Sequence, residues 1–167
     1  MPFTPYHFGP GLALKGVARP VFSMSAFVAA QVFVDFEPLY HMLRHEYPVH
    51  GFFHTFIGAT IAGLTGAGAW LLVARLLEFT FPTLMKSAIS STTAQSEVSV
   101  RGVLLGGLAG GISHPLLDGI VHSDVHPLAP FSNQNPFLDI VSGGTLEFLC
   151  VIAAFLGAVA LIKGKSK

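Results

Sequence analysis

Three stretches of this chain carry almost no charge, and that pattern limits its fold more than any other feature. Residues 55–74 contain no Asp, Glu, Lys, Arg or His, and residues 140–162 contain only Glu147 among the charged types. Residues 102–117 form a third, shorter run without Asp, Glu, Lys or Arg. A helix needs about 20 mostly apolar residues to cross a bilayer. The sequence therefore predicts three membrane-spanning helices.

Two shorter charge-free runs precede these spans, at residues 1–14 and 20–34. Each is too short for a full crossing at about 1.5 Å of rise per residue. We expect a helical hairpin whose turn contains Lys15, Gly16, Arg19 and Pro20, because Gly and Pro interrupt helices. The predicted fold is an all-α, polytopic membrane bundle of about five helices, with residues 1–167 forming a single domain.

The overall composition supports a membrane protein and excludes other classes. Only 11% of the residues are charged, whereas soluble domains average about 25%. The net charge is zero, without the basic patch that nucleic-acid binding requires. Cys150 is the only cysteine, so no disulfide forms within the chain.

The fourth predicted helix, residues 102–117, carries glycines at four-residue spacing, at Gly102, Gly106 and Gly110. Small residues at this spacing let helix backbones approach closely in lipid. The glycine face either packs within one chain or forms a homodimer.

The basic residues assign an orientation, since Lys and Arg near span ends collect on the cytoplasmic side. With five helices, eight of the nine basic residues fall on one side and only Arg44 falls on the other. The eight are Lys15, Arg19, Arg75, Lys86, Arg101, Lys163, Lys165 and Lys167. We expect the C-terminus and residues 78–101 to be cytoplasmic, with residues 87–97 forming a mobile loop.

All eight histidines and most carboxylates fall on the opposite, extracytoplasmic side. They are His7, Asp35, Glu37, His41, His45, His50, His54, His114, Asp118, His122, Asp124 and His126. Ionisable groups at membrane depth are costly and usually mark a functional interior site. This segregation predicts a polar site within the bundle.

The spacing of two pairs indicates metal binding. His50 with His54, and His114 with Asp118, are four residues apart, so on a helix each pair projects from one face. Imidazole and carboxylate are zinc ligands, although a buried polar pair that braces the helices is the alternative.

Other residues have alternatives of their own. Glu37, before Pro38, either joins the site or ends a helix, and Glu147 is either a ligand or an acceptor that orients a histidine. His41 and His45 fit a solvated interfacial face better than the site. His122, Asp124 and His126 suit a loop over the site that supplies at least one ligand.

Helical rise places several of these groups at one depth. Asp35, His114 and Glu147 lie about 24, 20 and 24 Å from Arg19, Arg101 and Lys163, in the outer half of a hydrocarbon core about 30 Å thick. His54 lies about 32 Å from Arg75, so the third helix must tilt or project into the cytoplasm.

Three segments carry a family resemblance: TPYHFGPGLAL, DFEPLYHMLRHEYPVHGFFHTFIGA and SHPLLDGIVHSDVHPLAPFSNQNPF. They span residues 4–137 and resemble the LexA-binding, inner-membrane-associated metal-dependent hydrolases, which are distantly similar to zinc-dependent phospholipase C and the S1/P1 nucleases. The resemblance implies a prokaryotic inner-membrane protein. Its implied ligands are His7, Asp35, His50, His114 and Asp118, with His122 or His126 as a later histidine. Gly143 stands where an HxxxE pair ending at Glu147 would need histidine.

We therefore expect a hydrolase with one to three divalent ions, zinc first, that acts on a phospholipid or lipid-linked phosphate at the extracytoplasmic side. Glu37, or Asp118 if it is not a ligand, is the expected general base. The alternatives are a divalent-cation transporter and a non-enzymatic protein that binds a partner through residues 78–101.

Overall fold

The computed structural model describes residues 5–163, and within that range the chain forms helices and connections without a strand. The α-helices are α1 (Phe8–Val17), α2 (Met24–Leu43), α3 (Phe56–Thr80), α4 (Pro82–Ala88), α5 (Thr92–Gln95), α6 (Val100–Val121) and α7 (Gly143–Lys163). Single turns of 3-10 helix at Pro5–His7 and Phe52–His54 precede α1 and α3. Helices α3, α6 and α7 are long and apolar enough to cross a membrane, as predicted. Lys165 and Lys167 lie outside the described residues.

Helix α6 lies at the centre of the bundle because its glycines admit a helix on two sides. A Cβ at Gly110 would lie 2.6 Å from the Phe27 carbonyl oxygen of α2. A Cβ at Gly107 would lie 2.5 Å from the Ala67 Cβ of α3. The predicted small-residue packing is therefore present, and it joins α6 to α2 and α3 within one chain.

Helices α1 and α2 follow one another across a short turn, as predicted, but the turn lies later than expected and α1 packs more against α7 than against α2. Lys15 and Gly16 belong to α1, and residues 18–23 make the turn. Gly16 stays helical because it faces the backbone of α7, where an added Cβ would lie 2.8 Å from the Gly157 carbonyl oxygen. Helix α1 therefore packs along α7, and the Arg19 guanidinium donates to the Ala160 carbonyl oxygen.

Two connections also differ from expectation. Helix α2 continues past Pro38 to Leu43, so Glu37 does not end the helix. Proline removes one backbone hydrogen bond but not the helix when packing holds it, and Pro38 is fully buried. Residues 87–97, expected to form a mobile loop, contain the end of α4 and all of α5, and the Ser91 hydroxyl caps α5 by accepting from the Ala94 amide at 3.1 Å.

Arg19, Arg75, Arg101 and Lys163 all lie at one end of the bundle, which we call the basic end. The histidine-bearing termini of α2 and α6 lie at the other, which we call the histidine end. The predicted segregation of the basic residues is thus present among the described positions. Arg44 is at the histidine end, where it pairs with Glu46 at 2.9 Å.

An ion pair between the buried Lys15 and the half-buried Glu97 joins the elements of the basic end. The Lys15 ammonium lies 2.5 Å from a Glu97 carboxylate oxygen and donates to the Ser96 hydroxyl at 2.7 Å. The other Glu97 oxygen accepts from the Ser25 amide at 2.9 Å, and the Glu97 carbonyl accepts from the Trp70 indole at 2.7 Å. Burial raises the pKa of Glu97, but the bonds from Lys15 and Ser25 outweigh burial and hold that pKa below its ordinary value.

Candidate metal centre

Four buried side chains from three elements meet at the histidine end. His114 and Asp118 lie one turn apart on α6, with 3.2 Å between the imidazole Nε2 and the carboxylate Oδ2. Asp35 on α2 approaches His114 Nε2 at 3.4 Å. His54, from the 3-10 turn before α3, places its Nε2 3.3 Å from Asp118 Oδ2. We call these four residues the buried cluster.

The buried cluster has the composition and spacing of a metal site. Each residue offers one nitrogen or oxygen, and these four atoms all lie within 4.8 Å of one another. Two imidazoles and two carboxylates suit zinc, which binds such ligands at about 2.0–2.2 Å. The same ligands also suit other divalent metals, so the set does not identify the ion.

Neighbouring side chains fix the orientation of the histidine rings. His114 Nδ1 contacts the Gln31 side-chain oxygen, and the Gln31 amide nitrogen donates to the Ser113 hydroxyl at 3.3 Å. His54 Nδ1 lies 3.3 Å from a Glu37 carboxylate oxygen. Both Nδ1 atoms therefore carry the proton in a neutral ring, and both Nε2 lone pairs point into the buried cluster. Metal-binding histidines are commonly held in this way.

The two Nε2 atoms supply the strongest sign that a cation belongs here. Neither one forms a hydrogen bond with any group in the described part of the chain. Both face the same oxygen of Asp118, Oδ2, so neutral rings would direct two lone pairs at a negative charge in a buried site. Unpaired buried polar atoms are costly. A cation bound between nitrogen and oxygen removes this penalty, so the residues present fit a divalent metal.

A second group adjoins the buried cluster and shares Asp118 with it. His50, Asp118 and His122 also place one ligand atom each within 4.8 Å of one another. His50 Nδ1 lies 2.9 Å from a carboxylate oxygen of Asp124. Burial and the neighbouring His54 hold the pKa of His50 below its usual value, although Asp124 raises it. Neutral His50 is the form that binds a metal.

Asp124 lies in the loop after α6 and holds the HGFFH segment in place. One of its oxygens accepts the backbone amides of Val49 and His50 at 3.2 and 3.3 Å. Burial raises the pKa of Asp124, but the bond from His50 outweighs it and keeps that pKa below its ordinary value. The prediction of one helical face for His50 and His54 is wrong, because residues 50 and 51 are not helical. The loop still brings the two rings to 4.6 Å between centroids.

No family model, curated protein or solved structure matches this chain. The resemblance to metal-dependent hydrolases thus stays a prediction.

His7 reaches the same place from the N-terminal hairpin. Its Nε2 lies 3.3 Å from Asp118 Oδ1, and its ring meets His114 edge-on at 4.9 Å. The ring is buried and its Nδ1 has no hydrogen-bond partner among the described residues. His7 belongs to neither group of converging ligand atoms, yet it contacts Asp118 as His54 and His114 do.

Other predicted site residues lie apart from both groups. His126 and Glu147 are exposed, and the structure does not bring either to the cluster. Glu37 accepts the Gly51 and Phe53 amides at 3.0 and 2.9 Å, in addition to its contact with His54. These contacts make Glu37 a positioning residue, whereas its role as a general base stays a prediction. His41 is half-buried and pairs with Glu46 at 3.0 Å, as suits an interfacial face.

Sequence reasoning missed Gln31, the partner of His114. The signal was present, since Gln31 stands four residues before Asp35 and so shares its face of α2. An amide in an otherwise apolar helix segment needs a partner when buried.

Proposed function

We propose that this protein is a membrane-embedded, metal-dependent hydrolase whose centre is the buried cluster, with zinc as the expected ion. The observation that carries the proposal is the convergence of the His54 and His114 Nε2 atoms on Asp118, with no hydrogen bond to satisfy either nitrogen. A purely structural pair would use those nitrogens in hydrogen bonds. The second group, His50, Asp118 and His122, provides room for a second ion next to the first.

A bound divalent cation would lower the pKa of a water molecule and polarise the oxygen of an ester. Asp35, His54, His114 and Asp118 would hold the cation. Gln31 and Glu37 keep two of these rings in the correct orientation, and the remaining carboxylates keep the surroundings negative.

The depth of the buried cluster favours a substrate that resides in the membrane. His114 lies about 20 Å along α6 from Arg101, well inside a hydrocarbon core about 30 Å thick. Arg44, the basic residue at the histidine end, is exposed at the surface and forms an ion pair with Glu46. Positive charge for a phosphate must therefore come from the cation, and a phospholipid or lipid-linked phosphate is the proposed substrate.

Purified protein tests this proposal directly. Elemental analysis of the detergent-solubilised chain should find a divalent metal, and a screen of lipid phosphates should show hydrolysis that chelation removes. Asp118→Asn should lose both metal and hydrolysis. Asp139→Asn is the matched control, because Asp139 is exposed and its positive φ of 57° also suits asparagine. A metal-free protein, or hydrolysis that survives both chelation and Asp118→Asn, would overturn the proposal.

Transport of the cation is the main competing outcome. Residues 58–74 of α3 and 102–113 of α6 contain no ionisable side chain between the cluster and the basic end. A route for a cation across the membrane normally needs such groups. Proteoliposomes containing the protein should therefore not accumulate Zn²⁺, and protein-dependent uptake would favour a transporter instead.

A further inference from the structure

Helix α3 extends beyond the other helices at the basic end. Its 25 residues correspond to about 36 Å, longer than a hydrocarbon core about 30 Å thick. Trp70 reaches the Glu97 carbonyl, and Arg75 reaches the Val98 carbonyl at 3.4 Å. These contacts place Trp70 and Arg75 level with the start of α6. The last turn of α3 therefore lies past the level of Arg75, and α4 follows it directly in the chain.

This extension is apolar and uncovered. We call residues 76–88 the foot. Its exposed large apolar side chains are Leu76 (55% exposed), Leu77 (37%), Phe79 (87%), Phe81 (52%) and Leu84 (68%). No residue of α4 is buried. Such a surface in water would be costly, at about 25 cal/mol per Å² of apolar area.

We propose that the foot lies in the headgroup region of the leaflet at the basic end and binds an anionic lipid surface. The foot would thus act as an interfacial anchor that continues a membrane-spanning helix. The proposal is independent of any catalytic role for the buried cluster.

The continuity of the apolar surface supports a lipid as the occupant. Leu72, Leu76 and Phe79 follow one another at four- and three-residue spacing, which places them on one face of α3. Leu72 is 62% exposed and lies within the spanning part of the helix, where its exposed face meets lipid. The same face continues into the foot, so the lipid that covers Leu72 also covers Phe79.

The arrangement of charge on α4 supports an anionic surface. Lys86 is exposed and two residues from Leu84, about 200° around the helix, so the two side chains point to opposite faces. A short helix with one apolar and one cationic face is suited to the interface plane. Arg75 pairs at 2.6 Å with Glu78, the acidic residue of the foot, and Arg101 is exposed at the start of α6, at the same end of the bundle. Basic residues near a membrane surface favour anionic lipids.

Depth measurements on single-cysteine proteins test the proposal. In a Cys150→Ser background, Leu84→Cys and the control Ser90→Cys are each labelled with an environment-sensitive fluorophore. Both proteins are placed in vesicles of phosphatidylcholine with about a quarter phosphatidylglycerol. Nitroxides at the headgroup level should quench the label at position 84 at least about twofold more than the label at position 90. Iodide in the water should show the opposite preference.

Three outcomes would count against the proposal, two against lipid as the occupant and one against an anionic surface. The first is equal access of iodide to both positions, which would place the foot in water. The second is a disulfide-linked dimer through Leu84→Cys in the unlabelled protein, which would identify a second copy of the chain as the occupant. Adding Lys86→Gln to the labelled protein should reduce lipid quenching at position 84 in the anionic vesicles but not in pure phosphatidylcholine. An identical effect in both vesicles would argue against an anionic surface.

Discussion

Replacing Gly110 with alanine tests how closely helix packing controls the metal centre. Gly110 lies one turn before His114 and faces α2, the helix that carries Asp35 and Gln31. The alanine Cβ would lie 2.6 Å from the Phe27 carbonyl oxygen and 2.9 Å from the Ala30 Cβ. Real Cβ contacts essentially never fall under 3.0 Å. Helices α2 and α6 must therefore separate locally by at least about 0.4 Å.

The magnitude follows from that displacement. Overpacking of a tight core typically costs about 1–3 kcal/mol, and backbone atoms such as the Phe27 carbonyl yield less readily than a flexible side chain. Gly110 lies one turn from His114, so part of this separation reaches the gap between Asp35 and His114, and ligand distances in metal sites normally stay within about 0.2 Å of their standard values. We expect Gly110→Ala to destabilise the fold by about 2 kcal/mol and to weaken metal binding by about tenfold.

Gly68→Ala is the matched control, since an added Cβ at Gly68 meets nothing within 4 Å. Alanine is the better helix former, so this variant should be stabilised by about 0.5–1 kcal/mol with unchanged metal affinity. Thermal unfolding followed by circular dichroism and metal competition against a chromogenic chelator measure both quantities. Equal behaviour of the two variants, or a Gly110→Ala protein with native metal affinity, would refute the link between helix packing and the centre.

Three further predictions address other contacts. Gln31→Ala should weaken metal binding by about 10–100-fold, because the His114 ring loses the contact that orients it, and Gln31→Glu should restore much of the affinity. Competition titration measures both affinities. Normal metal binding by both variants would show that Gln31 does not act by orienting His114. Lys15→Met leaves the half-buried Glu97 carboxylate without its cation and should cost about 2 kcal/mol in unfolding free energy. The Lys15→Met/Glu97→Leu double variant should regain part of that loss, and a double variant no more stable than the single one would count against the pair. The folded-state pKa of Glu97 is below the ordinary 4.5, so the stabilisation from its ionised form is present above pH 4.5 and is lost as the pH falls through the folded pKa. Glu97→Gln should remove this acid-side dependence of the unfolding free energy on pH. An unchanged dependence would contradict the assignment.

The spans and the histidine end were predictable because both follow from the cost of burying charge in lipid. Long uncharged runs predicted the spanning helices. The segregation of histidine from lysine and arginine predicted the end of the bundle at which most cluster residues lie. Asp35, His54, His114 and Asp118 were all expected as ligands, and they converge.

The remaining features depend on tertiary contacts that one-dimensional spacing does not contain. Lys15 was expected in the cytoplasmic turn of the hairpin, but it lies buried in α1, where Glu97, distant in sequence, pairs with its charge. Pro38 was a candidate helix end, yet burial holds α2 through it. His50 and His54 were expected on one helical face, but a loop fixed by Asp124 brings them together instead.

Helix α7 supplies no ligand atom to either group, yet it positions His7 indirectly, through its contact with α1. Its small residues let the 10-residue helix α1 pack closely against it, and His7 lies at the N-terminal end of α1. The face of α7 that contacts α1 therefore cannot accept larger side chains, whereas the face toward lipid accepts almost any apolar side chain. Among related chains, substitutions on α7 should be confined to its lipid-facing side. A larger residue at position 157 should displace α1 and move His7 away from Asp118, while His114 and Asp118 of α6 stay in place.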